Sequence, residues 1–155
     1  MRQAVKFLHT LASCGLIGAL LGYMIVLIKA PQDTAFKYAD VRQTIDALCD
    51  YLLLPSLAIT LVTGLLSMVV HRPFMDKRWV WAKTFLGLGM FESTLAIIQS
   101  KADYAAKISL KIAAGDAEPG ALNEILAHEW YSLSVIMALS VANIVLGVWR
   151  PRLGK

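Results

Sequence analysis

The residues in this chain that can do chemistry are few, and most lie inside long apolar runs. His9 stands early in the first such run and His71 ends the second. Both fall near the same end of their runs, so an imidazole pair on facing helices can ligate a b-type haem from its two sides. Lys83 lies at the depth of His9 and completes this candidate cofactor-binding set. The same pair suits copper or zinc chemically, but no His/Cys/carboxylate cluster has ligand spacing, so no metal site is expected. Glu92 follows Lys83 by nine residues, which turns it to the opposite face of a helix and sets it about 13 Å deeper. Asp50, at similar depth in the second run, is its candidate hydrogen-bond partner. The pair supports either a structural bond or a proton or small-solute pathway. Asn143 shares one face of the last run with Glu129, Ile136, Ser140 and Gly147, a face expected to point inward. Glycine-rich phosphate loops, nucleophile elbows and H-E-x-x-H patterns are absent, so no catalytic residue is assigned and the enzyme reading leans to no. His128-Glu129-Trp130-Tyr131 reads as an interfacial anchor.

Positioning these residues is a matter of four apolar segments. Hydrophobic residues make up 57% of the 155 and charged residues 17%, with a mean hydropathy of +0.60. Soluble domains run at about 45–50% and about 25%, so the composition is that of an integral membrane protein; disorder is excluded on the same numbers. A bilayer core of about 30 Å needs about 20 apolar residues in a helix. Segments 7–28, 51–70, 79–100 and 130–149 meet that need, and only the third contains charged residues, Lys83 and Glu92. The first is longer than a signal-peptide core and ends in Leu27-Ile28-Lys29-Ala30-Pro31, so it is expected to be retained. None alternates with period two, so the fold class expected is all-α, a four-transmembrane-helix bundle forming a single domain over residues 1–155.

The connections add detail. His71 to Arg78 is short and makes spans two and three antiparallel neighbours. Residues 101–129 keep a helical rhythm on both sides of the breaker Gly115-Asp116-Ala117-Glu118-Pro119-Gly120. An extended helical hairpin is therefore expected between spans three and four, with the polar stretch 31–42 as a loop beside it. Pro55 is placed in the first turns of span two, where its missing donor costs least. Cys14, Gly18 and Gly22, four apart on span one, form a small-residue face for helix packing, within the chain or with a second protomer. Cys14 and Cys49 lie at different depths, so no disulfide is expected.

Charge sets the expected topology. The side holding both termini carries Arg2, Lys6, Arg72, Lys77, Arg78, Arg150, Arg152 and Lys155 against Asp76 alone. Six basic residues and most of the acids lie on the other side. The positive-inside rule then puts both termini in the cytoplasm of a bacterial inner membrane. The net charge of +4 follows from that orientation and from anionic lipid, without nucleic acid.

Three islands, Leu54-Pro55-Ser56-Leu57 with Thr63-Gly64-Leu65, Trp79-Val80-Trp81-Ala82-Lys83, and Trp130 through Val148-Trp149-Arg150-Pro151, together with Phe7-Leu8-His9, resemble an uncharacterised family of four-span bacterial integral membrane proteins. The span-one His and the W-x-x-x-K opening a later span are distantly similar to HemJ-type protoporphyrinogen oxidases and CopD-type copper-resistance membrane proteins. The HemJ likeness implies a haem or porphyrin link through His9 and Lys83. The leading expectation is a small inner-membrane accessory or structural subunit, packed in an assembly with a protein partner or as a homo-oligomer. The alternatives are a b-haem or porphyrin-linked redox protein using His9, and the pathway through Glu92 and Asp50.

Overall fold

The computed structural model describes residues 2–31, 33–70 and 76–149, and among them every regular element is helical. The elements are α1 (Arg2–Lys29), α2 (Ala35–Leu48), α3 (Leu54–Val70), α4 (Arg78–Ser93), α5 (Ser100–Ala114) and α6 (Asn123–Trp149). Short π-helical turns, Cys49–Leu53 and Thr94–Gln99, join α2 to α3 and α4 to α5 without a break. The molecule is an all-α membrane helical bundle. Gln3–Lys29, Ala35–Val70 and His128–Trp149 are each long and apolar enough to cross a membrane. The stretch expected as the third span carries Lys83 and Glu92 and is not among these.

Local chemistry explains the boundaries. α1 runs through a long, largely apolar stretch and stops just before Pro31, whose ring disfavours helix at the preceding residue. The Thr34 hydroxyl caps α2 by accepting from the Lys37 amide at 3.3 Å. The stretch expected as a loop, 31–42, is thus mostly helix. α5 ends in a left-handed Gly115 at φ 84°. The Asp116 amide donates to the Lys111 carbonyl (2.8 Å) and the Gly115 amide to that of Ile112 (3.1 Å), the paired bonds of a glycine-terminated helix. Pro55 sits inside the continuous helix 35–70 instead of near a membrane entry. Its missing N–H and its ring clash one turn back are absorbed by the π turn ahead of it, where the Leu54 amide reaches the Cys49 carbonyl, five residues back.

At about 1.5 Å per residue, the helix 35–70 is about 54 Å long, well beyond a hydrocarbon core. Its α2 half lies along α5, so the first arm of the expected hairpin is packed against a helix of the chain. The contact works because α5 buries small residues, Ala102, Ala105, Ala106 and Ser109, against Ala39, Val41 and Ile45 of α2. α1 lies along α3 and α4 along α6. The close approach of α1 to α3 falls at Gly15, where a Cβ would meet Ser56 Oγ; of the expected packing face, Gly18 has open space and Gly22 only ordinary contact with Leu48.

The apolar core occupies one end of the bundle. Leu16, Leu20 and Tyr23 of α1, Ile45 and Cys49, Leu57, Met90, Ile98 and Leu133 form it. This is the distal end, away from the start of α1. The proximal end, where α1 begins, α3 ends, α4 begins and α6 ends, is not filled in the same way.

Candidate functional site

The proximal end holds a cavity of about 900 Å³ bounded by α1, α3, α4 and α6. Its wall is largely aliphatic, with Ile17, Leu57, Leu61, Met90 and Ile144 among the contributors. The polar groups that break this surface include Lys6, His9 and Ser13 of α1, Lys83 of α4, and Ser140 and Asn143 of α6. A mostly apolar cavity of several hundred Å³ with a few convergent polar groups is the usual form of a small-molecule site.

Three of these groups, His9, Asn143 and Lys83, each lie close to a glycine of a neighbouring helix. A Cβ at Gly64 would lie 3.4 Å from His9 Cε1, one at Gly87 3.9 Å from Asn143 Nδ2, and one at Gly147 2.7 Å from Lys83 Nζ. The glycines let the imidazole, amide and ammonium lie against backbone rather than side chain.

His9 has a defined proton. Its Nδ1 lies 3.0 Å from the Thr60 carbonyl and 3.0 Å from Thr63 Oγ1. The carbonyl can only accept, and the Thr63 hydroxyl spends its own proton on the Ile59 carbonyl at 2.6 Å. Nδ1 must therefore be the donor, and in the neutral ring the lone pair is on Nε2. Metal-ligating histidines are held in the same way, with the second ring nitrogen donating to a carbonyl. Nε2 makes no hydrogen bond among the described residues. Asn143 Oδ1 is likewise buried without a partner.

The other expected residues fall elsewhere. His71 lies outside the described residues. Cys14 is exposed and, with Gly18, lines the cavity rather than a helix contact. Both cysteines are free. Asp50 does not bond Glu92: it accepts from Gln99, which ties the two π turns together. Glu92 is exposed. No group of three His, Cys, Asp or Glu residues able to hold a metal ion occurs among the described residues.

A buried polar network at the distal end escapes a reading by segments. Arg42 donates to both Glu129 oxygens, Tyr23 donates to the same carboxylate, and Arg42 Nε donates to the Tyr38 hydroxyl oxygen. Thr34 as a cap, followed by Tyr38, Arg42, Ile45 and Cys49 at helical spacing, was the available signal.

The chain is detectably similar to no curated protein and to no solved structure. A family profile matches residues 3–151, nearly the whole chain. The protein belongs to the DUF2269 family of predicted integral membrane proteins.

Proposed function

We propose that this protein is a small membrane protein that binds haem b or a related porphyrin in its proximal cavity. The observation that carries the reading is His9: its Nδ1 proton is committed to the Thr60 carbonyl, which leaves Nε2 as a ligand at the wall of a roomy apolar cavity. Lys83, on the same wall, supplies the cation that a porphyrin propionate needs away from water. The cavity borders exposed positions of α1, Cys14, Gly18 and Leu21, so a lipid-soluble ligand can enter from the bilayer. Haem bound there would supply one-electron chemistry; the protein's own part would be to orient the ring, present the His9 imidazole and exclude water. His9 is the one imidazole among the described lining residues and would be the residue that holds the iron; His71 lies outside the described residues.

In this reading the chain crosses a bacterial inner membrane four times. The third crossing is α4 with its π turn, and both termini and the cavity face the cytoplasm, as the excess of basic residues at that end favours.

The test is a visible spectrum of protein purified after expression with haem supply, followed by titration of haem into the ligand-free form. A Soret band that the His9→Ala variant loses, with affinity down at least about tenfold, supports the proposal. A colourless protein that also fails to bind added haem, or a His9→Ala variant that binds equally well, overturns it.

A further inference from the structure

The wall of the proximal cavity is exposed along one seam. Lys6, Thr10, Cys14, Gly18 and Leu21 of α1 line the cavity and are exposed at the same time. So are Ile144 and Val148 of α6, whereas among the described residues α3 contributes Leu65 alone in this way and α4 no residue. The α1 positions follow one another at intervals of four, four, four and three, so they form one stripe along the helix. From Lys6 to Leu21 the stripe runs about 22 Å, more than half of a hydrocarbon core about 30 Å thick.

The other seams around the cavity are laced. His9 Nδ1 ties α1 to the Thr60 carbonyl and the Thr63 hydroxyl of α3, and the two helices come close at Gly15. α3 meets α4 where the Thr84 hydroxyl reaches Met68 Sδ at 3.3 Å and where Leu61 lies 3.5 Å from the place of a Gly87 Cβ. α4 meets α6 at Lys83 with Gly147 and at Gly87 with Asn143. α1 and α6 join at the distal end, where Tyr23 bonds Glu129 and Leu16 and Leu20 share a core with Leu133 and Ile136. Toward the proximal end the cavity takes the place of that contact. Gly18, with nothing within 4 Å of where its Cβ would be, is the sill at which packing gives way to open space.

We propose that this seam is a lateral portal, through which the ligand of the cavity passes between the bilayer and the interior as an anionic amphiphile. Its charged end travels beside Lys6 and its apolar body crosses between Gly18 and Ile144. The stripe is graded to match: a cation and a hydroxyl at the proximal end, then a thiol, bare backbone and leucine. An amphiphile dissolved in the adjacent leaflet has the same order of polarity with depth, so it need not turn over to enter. No Asp or Glu lines the cavity among the described residues, so the anionic end meets no like charge on the way. An apolar body that moves from lipid to an aliphatic wall also never pays for exposure to water. The proposal rests on the preceding reading in one respect, that the cavity is a ligand site; it needs neither iron nor porphyrin.

The experiment measures how fast a thiol inside the cavity is modified in liposomes. Ser140 lines the cavity with 3% of its surface exposed, so Ser140→Cys, in a Cys14→Ser, Cys49→Ala background, is reached through the cavity. Native Cys49, fully buried in the distal core and kept in a Cys14→Ser chain, is the closed reference. A lipid-soluble maleimide is expected to modify Ser140→Cys at least about tenfold faster than Cys49, and faster than a charged, water-borne maleimide does. Gly18→Leu and Ile144→Phe, which fill the portal from opposite helices, are each expected to slow that reaction at least about fivefold. In the same two variants, haem uptake from liposomes and haem release to a scavenging protein are expected to slow together. A Ser140→Cys thiol as inert as Cys49, one modified faster by the charged reagent, or rates unchanged by both fillings would each overturn the portal. A wild-type chain that binds no haem overturns the preceding reading instead, and the thiol rates still decide this one. A thermal melt identifies any variant that fails to fold; Ser13→Cys, also on the cavity wall, replaces Ser140→Cys if needed, and either filling carries the test without the other.

Discussion

Arg42 grips Glu129 with both arms of its guanidinium, at 2.6 and 3.2 Å, in a site where Arg42 keeps only 3% of its surface exposed. The contact joins α2 to α6 across the distal end. Tyr23 adds α1 by donating to the same carboxylate at 2.7 Å. Tyr38 completes the arrangement, its hydroxyl oxygen 2.9 Å from Arg42 Nε and its ring centroid 5.1 Å from the guanidinium carbon. Three helices are thus tied by one ion pair whose donors and acceptors are largely satisfied.

Breaking that pair from one side strands a buried charge. Glu129→Ala or Arg42→Ala is expected to lower stability by about 3–5 kcal/mol, whereas the paired replacement Arg42→Met with Glu129→Leu is expected to recover most of the loss. Thermal unfolding of the four proteins in one detergent measures this. Single and paired variants melting alike would mean that the ion pair does not hold the helices.

Gly15 and Ser56 set the distance between α1 and α3. A methyl at position 15 would lie 2.5 Å from Ser56 Oγ but 3.4 Å from its Cβ. The hydroxyl is therefore the obstacle. Gly15→Ala alone is expected to cost about 1–3 kcal/mol, and Ser56→Ala is expected to relieve at least half of it. A double-mutant cycle on unfolding should give a favourable coupling of about 0.5–3 kcal/mol; purely additive losses would show that the helices part to admit the methyl.

The membrane class and the helical fold were readable because long apolar runs have one physical solution in lipid. His9 and Lys83 stand out in the sequence because polar groups in such runs are scarce, and both line one cavity. Three features needed coordinates. The residues Cys14, Gly18 and Gly22 form a legible small-residue face, but helix rotation decides which glycine meets a neighbour, and it is Gly15. Asp50 and Glu92 agree in depth, yet depth says nothing of azimuth, and Asp50 turns to Gln99. The region 31–42 reads as loop while its polar residues are counted singly; most of it becomes helix once Thr34 caps it and α5 offers it a bed of alanines. Arg42 and Glu129 stand 87 residues apart, and no local pattern announces such a pairing.

In the porphyrin reading, Lys83 gives the cavity a charge preference. Its Nζ lies against Gly147 of α6, at the proximal rim. If a propionate is what it meets, Lys83→Leu should weaken binding of a dicarboxylate porphyrin at least about tenfold, the scale of a charge-assisted bond. Binding of the dimethyl ester of the same porphyrin should change little. Equal losses for acid and ester would assign Lys83 to packing instead.

Thr63 tests whether the orientation of His9 matters, as distinct from its presence. The hydroxyl accepts from Nδ1 at 3.0 Å while donating to the Ile59 carbonyl. Thr63→Val keeps the shape, and the Thr60 carbonyl still accepts from Nδ1, so the ring loses one of its two anchors. Removing an outer partner of a ligating histidine lowers metal affinity by about 10- to 100-fold. Haem titration of Thr63→Val should show a loss near the lower end of that range, with the Soret maximum displaced because imidazole basicity sets the ligand field. Thr63→Ser, which restores the acceptor, should restore both affinity and spectrum. The ligand-free Thr63→Val protein should melt within about 1 kcal/mol of wild type, the net worth of one neutral hydrogen bond. An unchanged haem affinity would show that the Thr60 carbonyl alone fixes the tautomer. A loss that Thr63→Ser fails to recover would place the effect in the packing of α1 on α3.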